Sequence, residues 1–201
     1  MSSVVVLSTT GGWATPVAEQ KVQIYAASSV DNYLAPPDGS VDWLTRFDDG
    51  VDLGYDAFYT DVGSMIVGRS TFDQVLGFGK WPYPQKPVAV LTHSAHPDQV
   101  PGEVSFDDGT DLRSLVARLK AETAGNVWLI GGGAVHRSFL REGLVDEIWM
   151  HLLPVMLGDG IAMFPPTFDS CALRLLESRT YKNGAALLRY AVAGSAGDVS
   201  D

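Results

Sequence analysis

Three consecutive glycines, Gly131, Gly132 and Gly133, join a short apolar run to a segment with helical spacing. The residues before them, VWLI, predict a buried strand, and those after them, AVHRSFL, predict a helix. A strand that turns through glycines into a helix leaves backbone N–H groups free at the helix N-terminus, where they and the helix dipole favour a phosphate. The common G-x-G-x-x-G fingerprint does not fit, because its third glycine would fall at His136. The motif therefore indicates either an anionic cofactor or a tight strand–helix turn without a ligand.

Two more predicted strands end in side chains suited to a phosphate. After the apolar run SMIV, Gly68 permits a turn, and Arg69 is either a phosphate ligand with its planar guanidinium or a solvent-exposed residue at a helix start. Ser70 and Thr71 can cap the next helix or donate to the ligand. The following strand, PVAVL, ends in two hydroxyls and an imidazole: Thr92, His93 and Ser94. Because ligands of open α/β sheets bind at the carboxyl ends of the strands, the three strand ends together predict a dinucleotide site.

The composition excludes several classes of protein. The 201 residues are 46% hydrophobic and 19% charged, which is typical of one globular domain. A formal net charge of −10, without a basic stripe, argues against nucleic-acid binding. The single cysteine, Cys171, excludes an internal disulfide, and its apolar neighbours predict a buried thiol. The four histidines lack the spacing of metal ligands, so we predict no metal site.

Both ends of the chain are predicted to lie outside the domain. Residues 1–20 form an N-terminal extension, either disordered or an extra edge strand, and residues 194–201 form a flexible tail. Residues 21–193 are predicted to form a single domain, because no linker is long enough to divide them. The N-terminus lacks the basic region and the apolar length of a signal peptide, and no segment approaches a membrane span, so we expect a cytoplasmic protein without membrane contact.

Predicted strands and helices alternate along the chain. This alternation predicts an α/β fold with a mostly parallel sheet flanked by helices, and the final pair of strands predicts an antiparallel C-terminal edge. The predicted strands cover residues 21–28, 64–67, 87–91, 104–106, 127–130, 146–153, 172–179 and 184–191, and residues 29–39 form a loop. The predicted helices cover residues 41–60 with a break near 50–54, 70–76 with Ser70 as N-cap, and 110–121 with Thr110 or Asp111 as N-cap, and one more follows the glycines.

The order of six segments resembles the dihydrofolate reductase-like superfamily: SSVDNYLA, DGSVDWL, MIVGRSTF, PVAVLTHS, VWLIGGGAVHRSFL and GLVDEIWMHLLPVMLGDG. The segments are most similar to the branch that contains the reductase domain of riboflavin biosynthesis, and the similarity covers about residues 22–190. The resemblance implies a mixed sheet flanked by helices, NADPH as the hydride donor, and a pterin or a ribosylaminopyrimidine as the substrate.

The resemblance also implies which residues bind the cofactor. In that family the G-R-[ST]-[TW] segment and the hydroxyls after the next strand hold the adenosine 2′-phosphate, and the glycine segment contacts the pyrophosphate. The 2′-phosphate residues implied for this chain are Gly68, Arg69, Ser70, Thr71, Thr92 and Ser94, with His93 between the last two. The pyrophosphate residues implied are Ile130, Gly131, Gly132, Gly133, Ala134 and Val135.

The chain departs from the family pattern near the substrate. Asn32 replaces the glycine that usually follows Asp31 in the first loop, and asparagine tolerates the left-handed backbone better than other non-glycine residues. A family position that is often threonine corresponds to His151. The acidic residue that dihydrofolate reductases carry on their first helix is best matched by Asp42.

Hydride transfer to a C=N bond leaves negative charge on nitrogen, so a proton must arrive nearby. Asp42, in an apolar setting beside Trp43, is a candidate to bind the heterocycle and relay a proton through water. The alternative is that Asp42 is a first-turn carboxylate that interacts with the helix dipole. Asp31 is the second candidate catalytic residue, and it is expected to form a turn that shapes the loop over the nicotinamide.

These observations predict an NADPH-dependent reductase that transfers hydride to a pyrimidine- or pterin-type heterocycle. The reaction implied by the resemblance is most like that of 5-amino-6-(5-phosphoribosylamino)uracil reductase. Two alternatives remain open: dihydrofolate reductase activity, and a nucleotide-binding module without catalysis. The resemblance also implies a possible homodimer, which would cover edge strands near the C-terminus.

Overall fold

The computed structural model describes residues 19–50, 52–95, 97, 100–166 and 170–194. In these residues the strands are β1 (Val22–Ser29), β2 (Tyr33–Ala35), β3 (Val62–Gly68), β4 (Val88–Leu91), β5 (Val104–Asp107), β6 (Asn126–Gly131), β7 (Glu147–Leu153), β8 (Ile161–Ala162), β9 (Leu173–Thr180) and β10 (Ala186–Val192). The helices are α1 (Tyr55–Thr60), α2 (Arg69–Gly77), α3 (Leu112–Glu122) and α4 (Gly133–Arg141), and a 3-10 helix spans Asp42–Phe47.

Eight of the strands form one sheet in the order β5-β4-β3-β6-β1-β7-β10-β9. All pairs from β5 to β7 are parallel, whereas β10 is antiparallel to both β7 and β9. Strands β2 and β8 form a separate two-stranded antiparallel ribbon. The predicted mostly parallel sheet with an antiparallel C-terminal edge is therefore confirmed.

The large sheet carries a hydrophobic core on each face. Ile66 and Leu129 are register partners on β3 and β6, and they lie on the face covered by α3 and α4. The preceding pair, Met65 and Trp128, lies on the opposite face, which α1 and α2 cover. Because successive strand residues point to opposite faces and both faces are buried, β3 reads as a continuous apolar run instead of an alternating one.

Three local predictions differ from the structure. Residues 29–39 were expected to form a loop, yet they contain β2. This strand was not predicted, because three residues are too few to show the alternation of apolar and polar side chains that indicates a strand. The N-cap of α2 is Gly68 and not Ser70, and no side chain caps this helix. Cys171 is exposed and not buried, because it comes just before the edge strand β9. In contrast, the prediction of Asp111 as the N-cap of α3 is confirmed, since its side chain accepts from the Ser114 N–H at 2.9 Å.

Gln20, just before β1, is attached to the segment between α3 and β6. The Gln20 amide donates hydrogen bonds to the backbone oxygens of Thr123 at 2.7 Å and Gly125 at 2.9 Å. Most of the predicted N-terminal extension and of the predicted tail, residues 1–18 and 195–201, lies outside the described residues. Within the described part of the chain, none of the helices has the length and apolar character needed to cross a membrane.

A buried carboxylate, Glu147, joins β1, β7 and β10. Its side chain is 2% exposed. It accepts hydrogen bonds from Lys21 Nζ, from Gln23 Nε2 at 3.2 Å, from Trp149 Nε1 at 3.2 Å and from Arg189 Nε at 3.0 Å. Burial acts to raise the pKa of Glu147, but the hydrogen bonds and charges of Lys21 and Arg189 outweigh burial and hold the pKa below its ordinary value. The carboxylate is therefore ionised and paired at neutral pH.

Candidate functional site

A cleft of about 450 Å³ lies where β3, β4, β5 and β6 end. It brings together residues from all three of the predicted strand ends, although these are far apart in the sequence. We call it the strand-end cleft. The predicted residues that line it are Gly68, Arg69, Ser70, Thr71, Thr92, His93, Gly132, Gly133, Ala134 and Val135.

Three predicted cofactor residues do not line the strand-end cleft. Ile130 packs against the core on the face covered by α1 and α2. Gly131 is buried, and a side chain there would point toward the His136 ring. Ser94 is exposed, and its N–H donates to Thr92 Oγ1 at 3.0 Å.

The three glycines at the end of β6 have different roles. Gly131 has a φ of +130°, which favours glycine, and its peptide bond to Gly132 is cis. Gly132 is the extended N-cap of α4, and no side chain caps this helix, so its first N–H groups are available to an anion in the cleft. A Cβ added to Gly133 would lie 2.0 Å from the Ala162 carbonyl oxygen. Glycine at 133 is therefore required for packing against β8, which the sequence did not indicate.

Arg69 lies at the start of α2 with its guanidinium held in place. Its Nε donates to both carboxylate oxygens of Asp73, at 2.8 and 2.9 Å, and its Nη1 donates to the Ala95 carbonyl at 2.8 Å. The side chain is 29% exposed. The guanidinium is thus partly covered and oriented at the wall of the strand-end cleft, and the helix start that it occupies has no side-chain cap.

Sequence reasoning missed the residues that β5 contributes to the strand-end cleft. Asp108 and Gly109 follow β5 directly and line the cleft beside His93. The Asp108 carboxylate accepts from the Thr110 N–H at 2.9 Å and its hydroxyl at 2.7 Å, and these hydrogen bonds, with a smaller contribution from His93, lower the pKa of Asp108. These residues could have been predicted, because they follow the predicted strand at 104–106 and ligands of open α/β sheets bind at the carboxyl ends of the strands.

A second cavity of about 460 Å³ lies between the sheet and the segment that runs from the 3-10 helix to α1. We call it the His151 cavity. Its lining residues are Tyr25, Ala27, Asp48, Gly50, Asp52, Leu53, Tyr55, Asp56 and His151. His151 is 1% exposed, and neither ring nitrogen has a hydrogen-bond partner among the described residues. Burial lowers the pKa of His151 to about 4, although Asp52 acts in the opposite direction, so the imidazole is neutral at neutral pH.

Asp42 does not have the environment that the sequence suggested. It is the first residue of the 3-10 helix and is exposed, and it lines neither of the two cavities. The expected apolar setting is therefore wrong, and a role for Asp42 as proton relay stays a prediction. The carboxylate that does face the buried His151 belongs to Asp52. Sequence reasoning missed Asp52 because the segment around it was interpreted only as a break in a helix.

Asp31 ties two loops together. Its carboxylate accepts from the Leu157 N–H at 3.1 Å and from the Gly158 N–H at 2.7 Å. A hydrogen bond from Ser29, followed by those of Gly158 and Leu157, lowers the pKa of Asp31. The next residue, Asn32, has a φ of +71°, as expected for asparagine in place of glycine. Asp31 thus has the geometry of a loop-forming residue, and a direct catalytic role stays a prediction.

The sheet order, the antiparallel edge and the strand-end cleft place the chain in the dihydrofolate reductase-like fold class. The family assignment is more specific. The sequence profile described as the RibD C-terminal domain matches residues 20–187, and the chain belongs to this family.

Individual relatives agree with this assignment. The uncharacterized protein YwjB of Bacillus subtilis (strain 168) is 35% identical over 170 residues, which cover 84% of this chain and 97% of YwjB. The crystal structure of a putative riboflavin biosynthesis protein from Shewanella sp. PV-4 matches with a TM-score of 0.76 and 28% identity, covering 86% of this chain and 99% of that one. Dihydrofolate reductase from Enterococcus faecalis, complexed with NADP(H) and RAB-propyl, matches with a TM-score of 0.57 and 14% identity, covering 86% and 96%. The family assignment and the solved structures therefore agree on the fold.

Proposed function

We propose that the chain is an NADPH-dependent reductase that transfers hydride to a pyrimidine- or pterin-type heterocycle, in a reaction of the kind catalysed by 5-amino-6-(5-phosphoribosylamino)uracil reductase. The observation that carries this proposal is the strand-end cleft, where two helices without side-chain caps begin beside each other. Membership of the RibD C-terminal domain family and the likeness to a dihydrofolate reductase complexed with NADP(H) support it.

The residues of the strand-end cleft suit the pyrophosphate and the 2′-phosphate of the cofactor. Gly132 opens the N-terminus of α4 to a pyrophosphate, because its backbone carries no side chain toward the cleft. Arg69 is suited to the 2′-phosphate, with hydroxyls at Ser70, Thr71 and Thr92 beside it. When bound, NADPH supplies the hydride.

The second cavity favours a reductase over a nucleotide-binding module without catalysis. A module of that kind needs only the strand-end cleft. The His151 cavity has a similar volume and a buried imidazole without partners, which is the arrangement expected of a site for a second small molecule. We therefore assign the His151 cavity to the heterocyclic substrate.

Replacing Arg69 with alanine is expected to weaken NADPH binding about 10- to 100-fold, because a charge-assisted hydrogen bond to phosphate contributes about 1.5–3 kcal/mol. Binding of NADH, which lacks the 2′-phosphate, should change by less than about threefold. Both are measured by titration with nicotinamide fluorescence. Arg113→Ala, an exposed arginine on α3, is the matched control and should bind both cofactors like the wild type.

Two results would contradict this proposal. If the wild-type protein binds neither NADPH nor NADH, the chain is not a nicotinamide-dependent reductase. If Arg69→Ala weakens NADPH and NADH equally, Arg69 acts by holding α2 to the loop at Ala95 and does not recognise the 2′-phosphate.

We also propose a homodimer in which β9 of two copies meet. This strand is the last in the sheet, and three of its leucines are exposed: Leu173, Leu175 and Leu176. Light scattering after gel filtration should give twice the chain mass of 21.6 kDa, and Leu175→Asp should give the monomer. Ala117→Asp, at an exposed position of α3, should leave the mass unchanged. A wild-type monomer would refute the interface.

A further inference from the structure

The floor of the His151 cavity is shaped to receive a flat ring. Ala27 and His151 are register partners on β1 and β7, so a small side chain lies directly beside the imidazole and leaves room above the sheet. The rings of Tyr25 and His151 lie 4.7 Å apart between centroids, at 52°. Tyr55, on α1, also lines the cavity, and its ring centroid lies 6.0 Å from that of Tyr25.

His151 is the strongest sign that this cavity binds a ligand. Its imidazole is buried, yet both ring nitrogens lack partners among the described residues. A neutral imidazole has one donor and one acceptor, and buried polar groups of this kind are normally satisfied. A planar heterocycle that presents an N–H group and a ring nitrogen along one edge would satisfy both.

The rim of the His151 cavity is negatively charged. Asp48, Asp52 and Asp56 line it, and none of the described residues that line it is a lysine or an arginine. The Asp52 carboxylate is oriented, because its Oδ1 accepts from the backbone N–H groups of Gly54 at 2.9 Å and Tyr55 at 2.7 Å.

The charges around the cavity distinguish between candidate ligands. No group of three or more His, Cys, Asp and Glu side chains in the described part of the chain is arranged to hold a metal ion, so the carboxylates do not form a cation cage. Two arginines of β9 and β10 are already paired, Arg179 with Glu177 at 2.6 Å and Arg189 with Glu147 at 3.0 Å. A phosphate monoester carries about −1.5 to −2 charges at neutral pH and would be repelled here.

We propose that the His151 cavity binds an aromatic heterocycle that carries amino groups and no phosphate, with Asp52 accepting from an amino group and His151 hydrogen-bonding the ring edge. This inference rests on the proposed reductase function, since it specifies the substrate of that reaction. The hydride transfer stays of the kind proposed above, but its substrate would lack the phosphate group of the substrate of 5-amino-6-(5-phosphoribosylamino)uracil reductase.

The test is isothermal titration calorimetry of the protein without cofactor, with 2,4-diaminopyrimidine as the probe. Asp52→Asn keeps the shape of the side chain and its acceptor for Gly54 and Tyr55 but removes the charge. We expect it to weaken binding of 2,4-diaminopyrimidine about tenfold, as for a lost charged hydrogen bond. Asp61→Asn, at the exposed end of α1, is the matched control and should bind like the wild type.

His151→Leu distinguishes a ligand-binding role from a structural one. We expect about tenfold weaker binding of 2,4-diaminopyrimidine with no decrease in the melting temperature, because leucine removes a buried polar group that has no partner. A structural histidine would give the opposite result, with a lower melting temperature and unchanged binding.

The exclusion of phosphate is tested with cytidine and cytidine 5′-monophosphate on protein saturated with NADPH, which fills the strand-end cleft. The wild type should bind cytidine more tightly, and Asp52→Asn should reduce the difference. Three results would each overturn the inference. The wild type could bind cytidine 5′-monophosphate more tightly than cytidine, or it could fail to bind 2,4-diaminopyrimidine. The third is that Asp52→Asn and His151→Leu both bind 2,4-diaminopyrimidine with wild-type affinity. If NADPH binds and 2,4-diaminopyrimidine does not, this inference alone fails, and if only 2,4-diaminopyrimidine binds, the proposed function fails.

Discussion

Gly133→Ala is expected to lower the free energy of unfolding by about 3 kcal/mol, the upper range for overpacking a rigid site, and to abolish NADPH binding. The new Cβ would lie 2.0 Å from the Ala162 carbonyl oxygen, which is closer than a backbone atom can accept, and 3.0 Å from the Pro165 ring. The N-terminus of α4 must therefore move away from β8, and the N–H groups that face the strand-end cleft move with it. Urea unfolding and a cofactor titration measure the two effects.

The control for this variant is Gly77→Ala at the end of α2. Gly77 has no atom within 4 Å of an added Cβ, and its φ is not in the left-handed region. Because alanine is a better helix former than glycine, the control should be as stable as the wild type or up to about 1 kcal/mol more stable. Wild-type stability and NADPH affinity in Gly133→Ala would show that α4 does not pack on β8 as described.

Glu147→Ala is expected to lower the free energy of unfolding by about 3 kcal/mol, which is typical of breaking a buried ion pair. Removal of the carboxylate takes the hydrogen-bond acceptor from Lys21, Gln23, Trp149 and Arg189 at once. Glu142→Ala removes an exposed carboxylate that lies 3.8 Å from Arg113, and it should change the stability by less than about 1 kcal/mol. Equal effects in the two variants would contradict a special role for Glu147.

The contribution of Glu147 should also depend on pH. The folded protein holds the pKa of Glu147 below its ordinary value, which is about 4.3 in an unfolded chain. Its stabilisation is therefore complete above about pH 4.3 and is lost as the pH falls through the lowered pKa of the folded state. The difference in unfolding free energy between wild type and Glu147→Ala should be largest at neutral pH and should decrease in acid. If the difference in unfolding free energy instead increases in acid, the prediction is wrong.

In the proposed function, Arg69 is the cationic group that would let a chain with a net charge of −10 hold a phosphorylated cofactor. Arg69 and Asp108 line the strand-end cleft, whereas three aspartates and no lysine or arginine are among the described residues that line the His151 cavity. The strand-end cleft thus offers a cation suited to a phosphate group, whereas the charged side chains of the His151 cavity are all acidic and suit amino groups. This separation would direct the cofactor and the substrate to different cavities.

Much of the sheet could be predicted, because the patterns that indicate its strands each lie within a few consecutive residues of the sequence. The strands β3, β4 and β6 contain the continuous apolar runs MIV, VAVL and VWLI, which are typical of strands buried on both faces. The N-cap Asp111 was also predictable, because its hydrogen bond reaches only to Ser114. The short strands β2 and β8 were missed, since two or three residues do not establish a period.

Of the site, the sequence by itself determined the strand-end cleft. Parallel strands align their carboxyl ends at one edge of the sheet. The residues that follow β3, β4 and β6 therefore lie near each other at this edge, independently of the conformation of the connecting loops. Only the tertiary structure decided which carboxylate faces the His151 cavity. Asp42 and Asp52 lie in the same stretch between β2 and β3, and how this stretch folds over the sheet depends on packing contacts distant in sequence, such as the bond from Tyr181 to the Leu53 carbonyl. The burial of His151 and the packing of Gly133 against β8 likewise arise from such distant contacts, which leave no local pattern in the sequence.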